Sequence, residues 1–281
     1  MKKYSTFYHH IREAARERGV SMDDMLREVR SWGIQYVELD RDDFADEDQL
    51  RALAEQLARC DMQPSSIYGH YHWDHDATMP TGDDLLIHQA KVLGCERIMV
   101  IPGFHSDMAD QEQCAREQAQ MIAGTKRLSE VAAAQGLTTT IECFDHAKSP
   151  IATIAGMAAF LEAAPELYVT LETGNFLFSG DDILEAHQRF ADRVRHVHLK
   201  DRFLPSQVPE ATPAGDATTA TTGLVMYPCA VGHGHIPMTT VLDRLDRDGY
   251  EGIMTIEHFG VASYYDAIHA SITWLKEREQ A

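Results

Sequence analysis

Short runs rich in Tyr, Val, Ile and Thr alternate along the whole chain with stretches in which apolar residues recur every three or four positions. The short runs read as strands: YSTFY from Tyr4, YVELD from Tyr36, PSSIYG from Pro64, RIMVIP from Arg97, TTTIEC from Thr138, YVTLE from Tyr168, VRHVHLK from Val194 and GIMTIE from Gly252. The stretches between them read as amphipathic helices. SMDDMLREVRSWG opens with Ser21 and Asp24 as a capping-box variant, places Met25, Leu26, Val29 and Trp32 on one face, and stops at Gly33. DQLRALAEQLAR does the same with Leu50, Leu53 and Leu57, and the last helix carries Ile268, Ile272 and Leu275. Ser149 and Pro150 read as the cap and first turn of another helix, and Asp181 as the cap of DDILEAHQRF.

Strand followed by helix, repeated eight times in 281 residues, predicts a single-domain α/β chain, a (β/α)8 TIM barrel over residues 1–281. A doubly wound sheet would carry a glycine-rich turn after its first strand, whereas HHIREA follows Tyr8. The segment from Pro205 to Thr222, rich in Pro, Thr and Ala, reads as a long loop within about 203–230 after the seventh strand.

Charge and composition then remove whole classes of function. With 25 Lys and Arg against 44 Asp and Glu, the net charge of -19 repels phosphate backbones and anionic lipid, so neither nucleic acid nor a membrane is an expected partner. The five cysteines form no C-x-x-C pair, which fits a reducing cytoplasm. The first residues lack the apolar stretch of a secretion signal, and no segment offers a ~20-residue apolar span.

Alternation along the strands is where chemistry enters. If the apolar residues of each strand face the helices, the polar set lines the barrel. Ile141 and Cys143 then point outward and Thr138, Thr140 and Glu142 inward; Val169 and Leu171 outward and Tyr168, Thr170 and Glu172 inward. Likewise His196, His198 and Lys200 go inward on the seventh strand, and Thr255 and Glu257 on the eighth. Glu142, Glu172, His198 and Glu257 thus meet at the C-terminal mouth, where barrel active sites are built. Three converging carboxylates repel one another unless a cation neutralises them. An oxygen-dominated set with one imidazole suits one divalent ion, Mn²⁺ or Mg²⁺ first, with Co²⁺ or Zn²⁺ as alternatives. His70, His72 and Trp73 after the third strand, and His235 in the GHGHI turn, are further candidates for a substrate wall. Lys200 reads equally as a substrate-facing ammonium or as an ion-pair partner of Asp201.

The stretches TTTIEC, LETGN, HVHLKD, GHGHI and GYEGIMTIE together resemble the xylose isomerase-like superfamily of sugar isomerases and epimerases over nearly the whole chain. The resemblance implies that Glu142 and Glu257 are metal ligands and the catalytic acid/base pair, that Glu172 and His198 complete the metal set, and that His196 and Lys200 neighbour the substrate. The family usually has Asp where this chain has Glu172, and many members have His where Asn175 offers only an amide to a hydroxyl. The H-x-H-x-K-D segment looks more like the branch containing inosose dehydratase.

The implied function is a metal-dependent sugar or polyol isomerase or epimerase. An inosose-type dehydratase is the alternative, and a metal-free sugar-binding barrel a third reading. A nuclease of related fold would need a basic surface that this chain lacks. The expected partner is a small sugar, polyol or keto acid, unphosphorylated since no glycine loop or arginine cluster stands near the strand ends; a homodimer or homotetramer is expected from the family.

Overall fold

In the computed structural model, which describes residues 2–76, 78–209 and 215–280, the eight expected strands close into one parallel barrel. They are β1 (Lys3–Phe7), β2 (Tyr36–Asp40), β3 (Gln63–His70), β4 (Arg97–Ile101), β5 (Thr138–Ile141), β6 (Leu167–Glu172) and β7 (Val194–Leu199), closed after three short strands by β11 (Ile253–Ile256), which pairs with both β7 and β1. The intervening β8 (Asp201–Phe203), β9 (Thr218–Thr219) and β10 (Val225–Cys229) form a separate antiparallel sheet in the order β8-β10-β9. The segment expected to be one long loop is therefore partly ordered against the barrel mouth. Positions 210–214 of that segment lie outside the described residues.

Helices α1 (Tyr8–Arg18), α2 (Met22–Ser31), α3 (Glu47–Arg59), α4 (Leu85–Leu93), α5 (Gln111–Ala133), α6 (Ile154–Ala163), α7 (Phe176–Ser179), α8 (Ile183–Phe190), α9 (Met238–Arg247) and α10 (Tyr264–Gln280) connect the strands. Their local signals act as elementary rules require. Ser21 accepts from Asp24 N at 3.1 Å, and Gly33 takes φ +98° just beyond the end of α2. Two expectations need correction. Ser149 and Pro150 sit in a turn, and α6 begins at Ile154, where Thr153 accepts from Gly156 N. Asp182, not Asp181, caps α8; Asp181 reaches back to accept the otherwise orphaned N–H of Ile154 at 2.7 Å.

The two faces of the barrel wall have opposite chemistry. Val37, Leu39, Ile98, Val100, Ile141, Val169, Leu171, Val197, Leu199 and Ile256 are fully excluded from solvent and pack with the inner stripes of the helices. Each contributes about 1.5–3 kcal/mol by leaving water. The inward set is buried but polar, and part of it is hydrogen-bonded across strands. Ser5 and Ser65 hydroxyls meet at 2.9 Å, and Thr170 donates to Thr140 at 2.8 Å. A polar lumen of this kind can deliver charged groups to one end of the barrel.

Candidate functional site

At the C-terminal mouth lies a cavity of about 420 Å³, within the range of small-molecule sites. One side is apolar, with Phe7, Tyr68, Met99, Ile101, Phe144 and Phe259; the other carries Glu142, Asp145, Asn175, Lys200, Arg202 and Glu257. Register explains the convergence. Thr255 pairs with His198 and Glu172 pairs with His198 on the other side, so Glu257, one residue beyond β11, and Glu142, one residue beyond β5, flank the same imidazole.

His198 Nδ1 lies 2.7 Å from Glu142 Oε2 and 3.2 Å from Glu257 Oε2, all three side chains being buried. These close approaches lack hydrogen-bond geometry, and all three atoms are left without a hydrogen-bond partner. Buried polar atoms are seldom orphaned, still less three that face one another. A divalent cation would satisfy all of them, and two carboxylate oxygens with one imidazole nitrogen form a suitable donor set. The residues fit the metal.

The electrostatics around them are uneven. Burial pushes the Glu142 carboxyl above its ordinary value, and His198 offsets only part of that. Burial acts the same way on Glu257, but the Lys200 ammonium and the His198 imidazole overcome it and hold Glu257 well below the usual carboxylate range. Burial alone would depress His198; the Glu38 and Glu142 carboxylates reverse this and hold it well above the usual imidazole value. Lys200 Nζ stands 2.7 Å from Glu257 Oε1 and 3.6 Å from Asp145 Oδ2, so its partners are these and not Asp201. Arg202 Nη2 also meets Asp145, at 2.5 Å. Arg202 therefore lines the cavity beside Lys200.

Asp201 has a different task. Its carboxylate accepts the backbone N–H groups of Arg202, Gly232, Gly234 and Ile236 at 2.8–3.1 Å. The GHGHI turn wraps this carboxylate so closely that a Cβ at Gly234 would overlap it. The turn's His235 is exposed and does not reach the cavity.

The remaining expected residues divide. His70 and Asn175 line the cavity; Asn175 Nδ2 donates to Cys143 O at 2.8 Å, and its Oδ1 is buried without a partner. Glu172 is fully buried but stands apart from the three-ligand group, because its carboxylate accepts the backbone N–H groups of Gly174, at 2.9 Å, and Asn175. The longer glutamate folds back onto its own loop. His196 is sealed inside the barrel, pushed down to about 4 chiefly by burial, and bonded to Glu38 instead of facing substrate. His72 is exposed, its ring 5.4 Å from that of His75. Trp73 is core: it stacks on Tyr71 at 4.2 Å, donates to Thr78 O, and occupies the space above Gly124 of α5.

Glu38 is the participant that sequence reasoning missed. It lies mid-strand on β2, fully buried, and its Oε2 receives His196, His198 and Thr255. Its sequence signal was the inward position in YVELD between outward Val37 and Leu39.

Comparison with known proteins agrees with this architecture. Inosose dehydratase of Geobacillus thermodenitrificans is 31% identical over 140 residues, 49% of this chain and 45% of that protein. The chain spans about half the length of the curated relatives it matches. The probable 3-DHS dehydratase AsbF of Bacillus anthracis superposes with a TM-score of 0.71 at 17% identity, covering 98% of this chain and 99% of that one. D-allulose 3-epimerase of Methylomonas sp., in complex with D-allulose, gives 0.70 at 15% identity, covering 99% and 97%. The family model described as xylose isomerase-like TIM barrel matches residues 26–278, and the chain belongs to that family.

Proposed function

We propose that this chain is an enzyme that holds one divalent cation through Glu142, His198 and Glu257 and moves a proton on the carbon beside the carbonyl of a sugar or polyol ketone. The observation that carries this reading is the trio of buried, mutually facing, unpartnered ligand atoms at the cavity floor. Mn²⁺ or Mg²⁺ suits the oxygen-rich donor set. A bound cation would act as a Lewis acid toward the substrate carbonyl, making the neighbouring C–H more acidic.

The chain's own residues supply the rest. Glu142 lines the cavity with no lysine or arginine at ion-pair distance among the described residues, and burial raises its basicity, so it suits proton removal. Glu257 is held by Lys200, which keeps one oxygen oriented and offers a charged donor next to the substrate. Phe7, Tyr68, Phe144 and Phe259 exclude water from one face of the ring, while Asn175 Oδ1 can accept from a hydroxyl.

Loss of a β-hydroxyl after proton removal makes the reaction a dehydration of an inosose-like ketone. That outcome is favoured by the relative named inosose dehydratase and by Asn175, which adds no second titrating group. Return of the proton by the opposite glutamate would give isomerisation or epimerisation with the same residues.

The test is incubation of Mg²⁺-loaded protein with inososes and ketoses in D₂O, read by NMR. We expect carbon-bound deuterium together with loss of water from an inosose. Glu142→Gln and Glu257→Gln should each slow exchange by about 10²–10⁴-fold. Full activity in both variants would refute the assignment.

A further inference from the structure

Resting on the metal site proposed above, we infer that Glu38 is the positioning residue that presents His198 to the cation. Glu38 lies on β2, three strands away from β7 around the ring, with β1 and β11 between them, and its side chain crosses the lumen to reach it. The register between β2 and β3 slips between Val37 and Glu38, Val37 pairing with Pro64 and Glu38 with Ser66. Such an irregularity re-aims a side chain. The carboxylate is fully buried and no Lys or Arg lies at ion-pair distance among the described residues. Burial of a carboxylate in this way is unfavourable unless specific donors compensate it.

The donors are specific. Glu38 Oε2 accepts from His196 Nε2 at 2.8 Å, His198 Nε2 at 3.1 Å and Thr255 Oγ1 at 2.8 Å. An ionised carboxylate can only accept, so when His198 is neutral, as a metal-bound imidazole must be, its one proton resides on Nε2. The lone pair is then left on Nδ1, the atom that faces Glu142 and Glu257. Glu38 thereby sets both the tautomer and the tilt of the ring, as carboxylates behind metal-bound imidazoles do. His196 in turn holds the carboxylate in place; Thr255 only adds a further donor, from the same strand end that delivers Glu257.

The experiment uses Zn²⁺ as probe and reads binding, not turnover. Long-range ¹H–¹⁵N spectra of Zn²⁺-loaded wild-type protein should show His198 metallated at Nδ1 and protonated at Nε2; zinc on Nε2 overturns the inference with no variant required. Glu38→Gln replaces the acceptor-only group with an amide that also donates. Competition with a chelator should show Zn²⁺ held about 10–100-fold more weakly. Thr255→Val removes one donor from the same buried network but leaves the Glu38–His198 contact, and its Zn²⁺ affinity should stay within about threefold of wild type, below that range. A folded Glu38→Gln protein with wild-type affinity, or an equal loss in Thr255→Val, overturns the positioning role alone. Failure of wild-type protein to bind Zn²⁺ overturns the metal site and this inference together.

Discussion

Lys200→Met removes the ammonium that touches Glu257 of the proposed catalytic pair. In the folded protein Nζ lies 2.7 Å from Glu257 and 3.6 Å from Asp145, and both Lys200 and Glu257 are buried. Asp145 keeps Arg202 after the substitution, whereas Glu257 keeps only the His198 imidazole at 3.2 Å. Breaking a buried pair by deleting one member costs about 3–5 kcal/mol, and the surviving imidazole places this case near 3. Urea unfolding of chelator-treated protein at neutral pH measures that loss directly.

The sign of its pH dependence is fixed. Glu257 is depressed in the folded state, so the pair stabilises the fold above the ordinary Glu value of 4.5 and loses that contribution as pH falls below it. The gap between wild type and variant should therefore narrow on acidification from pH 4.5 downward. Saturating Mg²⁺ should recover part of the loss, since a cation at the same carboxylate replaces the missing charge. A loss under about 1 kcal/mol at neutral pH would show that Glu257 is not held by Lys200 and would refute the reasoning.

Three further outcomes are expected. Glu172→Gln removes one of two acceptors for buried backbone N–H groups, so stability should fall by about 1–3 kcal/mol while divalent-metal affinity stays unchanged; a loss of affinity as large as that of Glu142→Gln would put Glu172 among the ligands. Asp201→Asn turns an amide NH₂ toward Gly232 N and Gly234 N, and denaturant melts should show about 2–6 kcal/mol lost from two unsatisfied donors. Trp73→Ala should lower stability by about 3–5 kcal/mol with KM unaltered; a raised KM would return Trp73 to the substrate wall.

Period-two alternation made much of this site legible. It separated Ile141 from Glu142, Leu199 from His198 and Ile256 from Glu257, and the structure sends each apolar partner to the helices and each polar one to the mouth. The rule failed only where it was not applied. Lys200 and Asp201 are consecutive on nearly extended chain and point to opposite sides, which already argued against their pairing. Glu38 obeys the same alternation but sits mid-strand, where alternation alone does not mark an inward carboxylate as part of a site at the mouth. The misplaced residues have another cause: His72, Trp73 and His235 belong to loops, where no period says which way a side chain turns.

Reach is the quantity that periodicity does not contain. Alternation says that Glu38 and Glu172 enter the lumen, but each then had several strands within range of a three-bond side chain. Glu38 crossed to His196 and His198, while Glu172 turned back to Gly174 and Asn175. What separated them was the supply of unpaired donors. The loop after β6 left two backbone N–H groups within reach of Glu172, and Glu38 met two imidazoles and a hydroxyl inside a closed barrel. Each carboxylate went to the donors that would otherwise have been buried unpaired, because an unmade bond costs more than a made one gains. A carboxylate one methylene shorter at position 172 would cap N–H groups two and three residues ahead as readily, as Asp182 does at the start of α8, so the choice between capping that loop and joining a metal set turns on the supply of donors and not on side-chain length.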